Sequence, residues 1–156
     1  MPQKESKMFI EGIGLGMAMS FFMTETIGLA AGGIVVPGYI ALLLHHPLQV
    51  IVTILVAWIT FLITKLISRF MLLYGRRLLV MAILIGYLLG YVTRLFPPFV
   101  ISQLKLDLAT IGFVIPGLIA YWMNRQGVVE TITTMIVAAV LTRLLVTIIS
   151  GGALLP

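Results

Sequence analysis

Apolar residues along this chain gather into six long runs separated by short polar stretches. The runs cover roughly residues 8–23, 28–44, 48–66 (extending to 73), 78–95, 108–123 and 128–149. A helix of about 20 apolar residues crosses the hydrocarbon core of a bilayer. Four of the runs approach or reach that length. The second and fifth are shorter in their unbroken part, and each carries a Pro-Gly pair, Pro37-Gly38 and Pro116-Gly117. The order is therefore long, short-broken, long, and then the same again. It predicts an all-α integral membrane protein, a single membrane domain over 1–156 built from two repeat halves, about 1–73 and 74–156.

The short segments are near copies. Gly33-Ile-Val-Val-Pro-Gly-Tyr-Ile-Ala41 returns in the second half as Gly112-Phe-Val-Ile-Pro-Gly-Leu-Ile-Ala120, with six of nine positions identical. Proline removes a backbone donor and clashes with the preceding turn. Glycine admits conformations closed to other residues. Inside a membrane such a break is tolerated only where protein or a water-filled cavity satisfies the freed backbone groups. Gly33, Pro37, Gly38, Gly112, Pro116 and Gly117 thus form a matched helix-break motif, the kind of pair that points to a central functional site. The repeat also sets His45-His46 opposite Asn124-Arg125.

If the short segments span fully, each half crosses three times and the repeats are inverted. If they are re-entrant, each half crosses twice and the repeats are parallel. With the N-terminus inside, the re-entrant arrangement keeps Lys4, Lys7, Lys65, Arg69, Arg76 and Arg77 on or near the inner side. That agrees with the cytoplasmic bias of basic residues and favours re-entrant or half-spanning elements.

Composition narrows the class further. The chain is 61% hydrophobic and only 10% charged, against about 25% charged in typical soluble domains. No polar stretch is long enough for a second domain, so soluble chemistry must come from a partner. The net charge of +5 rests on ten scattered Lys and Arg residues. With no basic run interleaved with aromatics, nucleic acid is not an expected partner. The charge is explained by membrane topology or by attraction for an anion. There is no cysteine, so disulfides and thiolate chemistry are excluded. Lys4, Lys7 and the following apolar run mimic a signal peptide, but cleavage is not expected, because the segment after the apparent site belongs to the repeat.

Few residues could carry chemistry. Glu25 lies between the first long run and the first broken one, either lining a site or marking an interface. Tyr74-Gly-Arg-Arg77 joins the halves, and arginine's planar fork suits carboxylate or phosphate. Arg143 stands within the last apolar run, where a charge must snorkel or find a partner such as Glu25 or Glu130. His45 and His46 lack a companion ligand at metal spacing, so no metal is expected. Lys105 and Asp107 mark the edge of the second broken run. Tyr39, Trp58, Tyr121 and Trp122 fit packing and interface anchoring. There is no phosphate-cradling G-x-x-x-x-G-K-[ST], no G-x-S-x-G and no H-E-x-x-H. No catalytic residue and no cofactor are expected.

At these residues the chain resembles the CapC/PgsC family, small membrane proteins of the bacterial poly-γ-glutamate (capsule) synthases. The resemblance is carried by Gly33-Ile-Val-Val-Pro-Gly-Tyr39, Leu73-Tyr-Gly-Arg-Arg77, Gly112-Phe-Val-Ile-Pro-Gly-Leu-Ile-Ala120 and Arg125-Gln-Gly127, together with Glu25 and Gly28. It spans roughly residues 8–149, in order and with similar spacing. One departure is Thr26, where the family often has a basic residue beside the acid. The resemblance implies a multi-pass protein of the bacterial cytoplasmic membrane. It implies two partners, an ATP-dependent amide ligase and a membrane-anchored polymer-handling subunit. Glu25, Tyr74, Arg76, Arg77, Arg125, Gln126 and Arg143 then become candidate contacts for the polymer or a partner. A homo-oligomer or shared path is expected, since one chain of this size makes too small a bundle to enclose a polymer. The alternative reading is a free-standing transporter or channel for a small anion.

Overall fold

The computed structural model describes residues 2–44, 47–95, 114–149 and 151. Among them six helices follow one another: α1 (Pro2–Ile27), α2 (Val36–Leu43), α3 (Pro47–Phe70), α4 (Arg76–Leu95), α5 (Val114–Gln126) and α6 (Val128–Ile149). No strand occurs among the described residues. The expected all-α class is therefore correct. Among the described residues two helices, α3 and α6, are long and apolar enough to cross a membrane. Gly112, His45, His46, Lys105 and Asp107 lie outside the described residues, as do the side chains of Lys4 and Arg94.

Proline and glycine set the helix ends. Pro2 and Pro47 open α1 and α3, and Pro37 is the second residue of α2. In a first turn the missing N–H has no intrahelical acceptor to lose, and the fixed φ is already helical. Pro116 likewise lies in the first turn of α5. The Pro-Gly pairs thus start the short helices and do not interrupt them. Between α1 and α2 the chain turns through Gly32 (φ 78°) and Gly33 (φ 123°), both buried. A side chain at either position would be strained.

The chain divides into two compact units. One comprises residues 1–47 and 126–156, hence α1, α2 and α6; the other comprises 48–125, hence α3, α4 and α5. The first unit thus joins the two ends of the chain, with α1 and α2 packed on α6, while the second is the continuous middle, in which α3 groups with α4 and α5.

In the first unit the joint is a glycine contact. A methyl group on Gly16 of α1 would collide with the backbone of Gly38 in α2, and Gly38 faces Ile13 and Gly12 in return. In the second unit, a Cβ on Gly86 of α4 would stand 2.8 Å from Gly117 N in α5, and Gly117 faces Ile83 and Ala82. Small residues let helix backbones approach this closely.

Helices α3 and α6 bury mostly small and polar residues, with Phe61, Met135 and Val146 among them, and expose many large apolar ones. The covered face of α3 includes Thr53, Ala57, Thr60 and Thr64; that of α6 includes Thr131, Ala138, Ala139 and Thr142. Leu55, Trp58, Ile59 and Leu62 of α3, and Ile136, Val137, Val140 and Leu144 of α6, are exposed. The buried threonines donate to carbonyls of their own helices: Thr60 to Val56 O at 2.7 Å, Thr64 to Thr60 O at 2.7 Å and Thr142 to Ala138 O at 2.7 Å. The hydroxyls of these three are thereby satisfied within their own helices.

Candidate functional site

A concentration of polar groups lies within the second unit, where α3 ends, residues 71–75 turn, α4 begins and α5 ends. A cavity of about 500 Å³ there is lined by Ser68, Leu73, Tyr74, Gly75, Leu78, Tyr121, Asn124 and Arg125. Gly75 turns the backbone at φ 60°, a left-handed conformation that glycine adopts without penalty. This turn leaves Tyr74 exposed at the rim while Leu73 is buried beneath it.

Arg125 is exposed yet held in place. Its Nη1 donates to Tyr121 Oη at 3.2 Å. Its guanidinium lies over two rings, 5.9 Å from the centre of Tyr121 and 5.7 Å from that of Trp122. The two rings meet edge to face at 5.6 Å. A cation over an aromatic face is attracted by the ring quadrupole. Asn124 donates from Nδ2 to Ala120 O at 3.0 Å, and Ser68 from Oγ to Lys65 O at 2.8 Å. No described acid pairs with Arg125.

Arg76 and Arg77 face a different recess. It holds about 380 Å³ and is lined by those two residues with Leu73, Val80 and Met81. Leu73 is common to both cavities. The structure thus brings Tyr74 and Arg125 together and sets Arg76 and Arg77 on an aliphatic shelf next to them.

The other candidates stand elsewhere. Gln126 belongs to the first unit and grips the loop between α1 and α2. Its Oε1 accepts from Ala30 N at 3.0 Å, and its Nε2 donates to Ala30 O and to Thr131 Oγ1. Ser20 Oγ holds the same loop through Gly33 O at 3.1 Å. The Gln126 amide is therefore committed to architecture. Glu25 is exposed near the end of α1. Arg143 is half-buried in α6, and no ion pair joins it to Glu25 or Glu130. Gly33, Pro37, Gly38, Pro116 and Gly117 are buried at the helix joints.

Three polar residues of the cavity were not anticipated as site residues: Ser68, Tyr121 and Asn124. One signal was present, because Tyr121 and Arg125 are four residues apart on a helix, the spacing at which side chains meet. Ser68 and Asn124 come from separate helices, and nothing local links them.

Comparison with known proteins gives this arrangement a family. The sequence pattern of the capsule biosynthesis CapC family matches residues 15–132, a span that includes every residue lining the cavity. The chain is similar to "Capsule biosynthesis protein CapC" of Bacillus anthracis, with 38% identity over 126 residues, covering 78% of this chain and 82% of that one. It is also similar to "PGA biosynthesis protein CapC" of Bacillus subtilis (strain 168), with 34% identity over 118 residues, covering 75% and 78% respectively. No solved structure matches. Identity at this level over most of both chains means that the protein belongs to the capsule biosynthesis CapC family.

Proposed function

We propose that this chain is a non-catalytic, multi-pass subunit of a poly-γ-glutamate (capsule) synthase in the bacterial cytoplasmic membrane. The observation that carries the reading is family membership, which ties the chain to capsule biosynthesis. The amide-forming chemistry belongs to an ATP-dependent ligase partner. A membrane-anchored subunit handles the polymer, and this chain, as a homo-oligomer or with its partners, supports passage of the product.

Physical considerations support the membrane setting and the passage of an anionic product. Large apolar side chains outside and threonine and alanine inside invert the pattern of a water-soluble helix. In a bilayer the same pattern is favourable, since small residues drive helix packing there. A product with a carboxylate on every unit cannot cross hydrocarbon unaided, and arginines suit anion passage. Arg76, Arg77 and Arg125 supply such charges beside Tyr74. Helix α2 has eight residues, about 12 Å at 1.5 Å per residue. That length suits a half-spanning element better than a crossing.

The chain also reads as two copies of one unit, residues 1–156 acting as a single membrane domain. The glycine contacts support this. Gly16 meets Gly38 as Gly86 meets Gly117, and Ile13 and Ile83 occupy the same place against the second glycine. The second copy has the longer stretch of chain between its paired glycines. In each copy the third helix joins the first two helices of the other copy.

The test is co-purification from membranes. A stable complex with an ATP-dependent ligase, and loss of polymer when this chain is deleted, are the expected results. Robust flux of a small anion through the purified chain alone in liposomes, with no ligase complex, would replace this reading with the transporter.

A further inference from the structure

We infer that the cavity lined by Ser68, Tyr74, Asn124 and Arg125 is a carboxylate-binding subsite for a short stretch of an acidic chain, and that the Arg76–Arg77 shelf does not belong to it. The chemistry of the subsite rests on the cavity itself; only the identity of the acidic chain as polyglutamate rests on the proposed function.

Arg125 is the anchor. The cation–π contacts with Tyr121 and Trp122 and the bond to Tyr121 Oη hold its guanidinium beside the cavity. A guanidinium carries five N–H donors, and one of them is bonded within the described residues. The remaining donors form the fork that meets a carboxylate through two parallel bonds. An arginine already held in place loses less side-chain entropy on binding than a free one.

The neighbours complete the selection. Tyr74 brings a hydroxyl to the rim, and Asn124 keeps its second amide N–H after the first is used on Ala120. Leu73 and Leu78 form an aliphatic wall. They suit the methylene groups of an acidic residue. A volume of about 500 Å³ lies in the range of small-ligand sites. It admits a short oligomer and excludes a folded partner.

Arg76 and Arg77 differ in every respect that matters here. Their recess is otherwise lined by aliphatic side chains, with no neutral donor among them. Consecutive residues on a helix point about 100° apart, given 3.6 residues per turn, so the pair does not form one fork. These residues supply attraction at longer range, which salt screens.

The test uses the full chain in nanodiscs of zwitterionic lipid and a short γ-linked oligoglutamate as probe. Binding is read by calorimetry, beside the neutral γ-linked oligoglutamine. Arg125→Gln is expected to weaken binding by about tenfold or more, as for loss of charged hydrogen bonds, with Tyr74→Phe giving a smaller loss. The double variant R76Q/R77Q is expected to change affinity less than Arg125→Gln and to flatten its salt dependence. An unchanged thermal melt keeps a folding defect from mimicking the effect. Wild-type affinity in Arg125→Gln, or equal binding of the neutral oligomer, would overturn the subsite. Tighter binding of inorganic phosphate, or displacement of the probe by anionic lipid in the nanodisc, would overturn the carboxylate assignment in favour of phosphate. Arg125-dependent binding of glutarate without binding of the oligomer would overturn the assignment to an acidic chain, while the ligase co-purification would still decide the proposed function.

Discussion

Gly16 and Gly86 are positions where a single methyl group is expected to matter. A Cβ on either would enter the backbone of a neighbouring helix, and a backbone cannot swing away as a side-chain tip can. Gly16→Ala and Gly86→Ala should each destabilise the folded protein by about 1–3 kcal/mol, as overpacking does. Gly14, on the same helix as Gly16, has open space around it, so Gly14→Ala should be neutral or gain up to about 1 kcal/mol in helix propensity. Thermal unfolding in detergent measures all three, and equal effects at Gly14 and Gly16 would sink the argument. Gln126→Leu should cost about 1–3 kcal/mol, because Ala30 would lose the partners of its N–H and C=O. Its signature would be faster proteolysis in the loop between α1 and α2. At this scale the sequence displayed Pro37-Gly38 and Pro116-Gly117 plainly. It hid their partners, because Gly12-Ile-Gly-Leu-Gly16 and Ala82-Ile-Leu-Ile-Gly86 share only Ile13/Ile83 and the last glycine and do not keep the offset that relates the two Pro-Gly segments. Likewise Gln126 stood out beside Arg125, but its target, Ala30, is 96 residues away.

Helices α3 and α6 carry the membrane reading at the scale of elements. Ile59 lies near the middle of α3 on its exposed apolar face. If that face meets lipid, Ile59→Arg should raise the cost of insertion by about 2.5–3.5 kcal/mol. A glycosylation-reporter insertion assay reads this directly, and unaltered insertion would count against lipid contact. Ala138 is fully buried in α6 beside Met23 and Ala31. Ala138→Leu should therefore lower stability by about 1–3 kcal/mol through overpacking, measured by the same detergent melt, whereas Val140→Leu on the exposed face should leave it unchanged. The length of the apolar runs was enough to find both helices. Which face each would bury was not legible, because apolar residues surround α6 and its core-facing set mixes threonine and alanine with Met135 and Val146. Arg143 illustrates the limit: its position in an apolar run left snorkelling and an acidic partner both open, and neither Glu25 nor Glu130 pairs with it.

For the whole molecule, the exchange of third helices predicts how the chain behaves when cut. Residues 1–73 contain α1 and α2 without α6, and 74–156 contain α4 and α5 without α3. Each fragment expressed alone should be degraded, and the two together should accumulate and resist detergent. Independent accumulation of either fragment, checked by immunoblot of membranes, would contradict the exchange. The sequence by itself determined the six-helix order, the two short Pro-Gly elements and the family, because run length, backbone chemistry and local motifs are properties of adjacent residues. Tertiary structure alone decided that the prolines open their helices, that Gly16 and Gly86 meet the Pro-Gly turns, and that α6 joins α1 and α2. It also gathered Ser68, Tyr74, Asn124 and Arg125 into one cavity and left Arg76 and Arg77 outside it. Those outcomes depend on which surfaces fit at close range between residues far apart in the chain, and no local pattern records that fit.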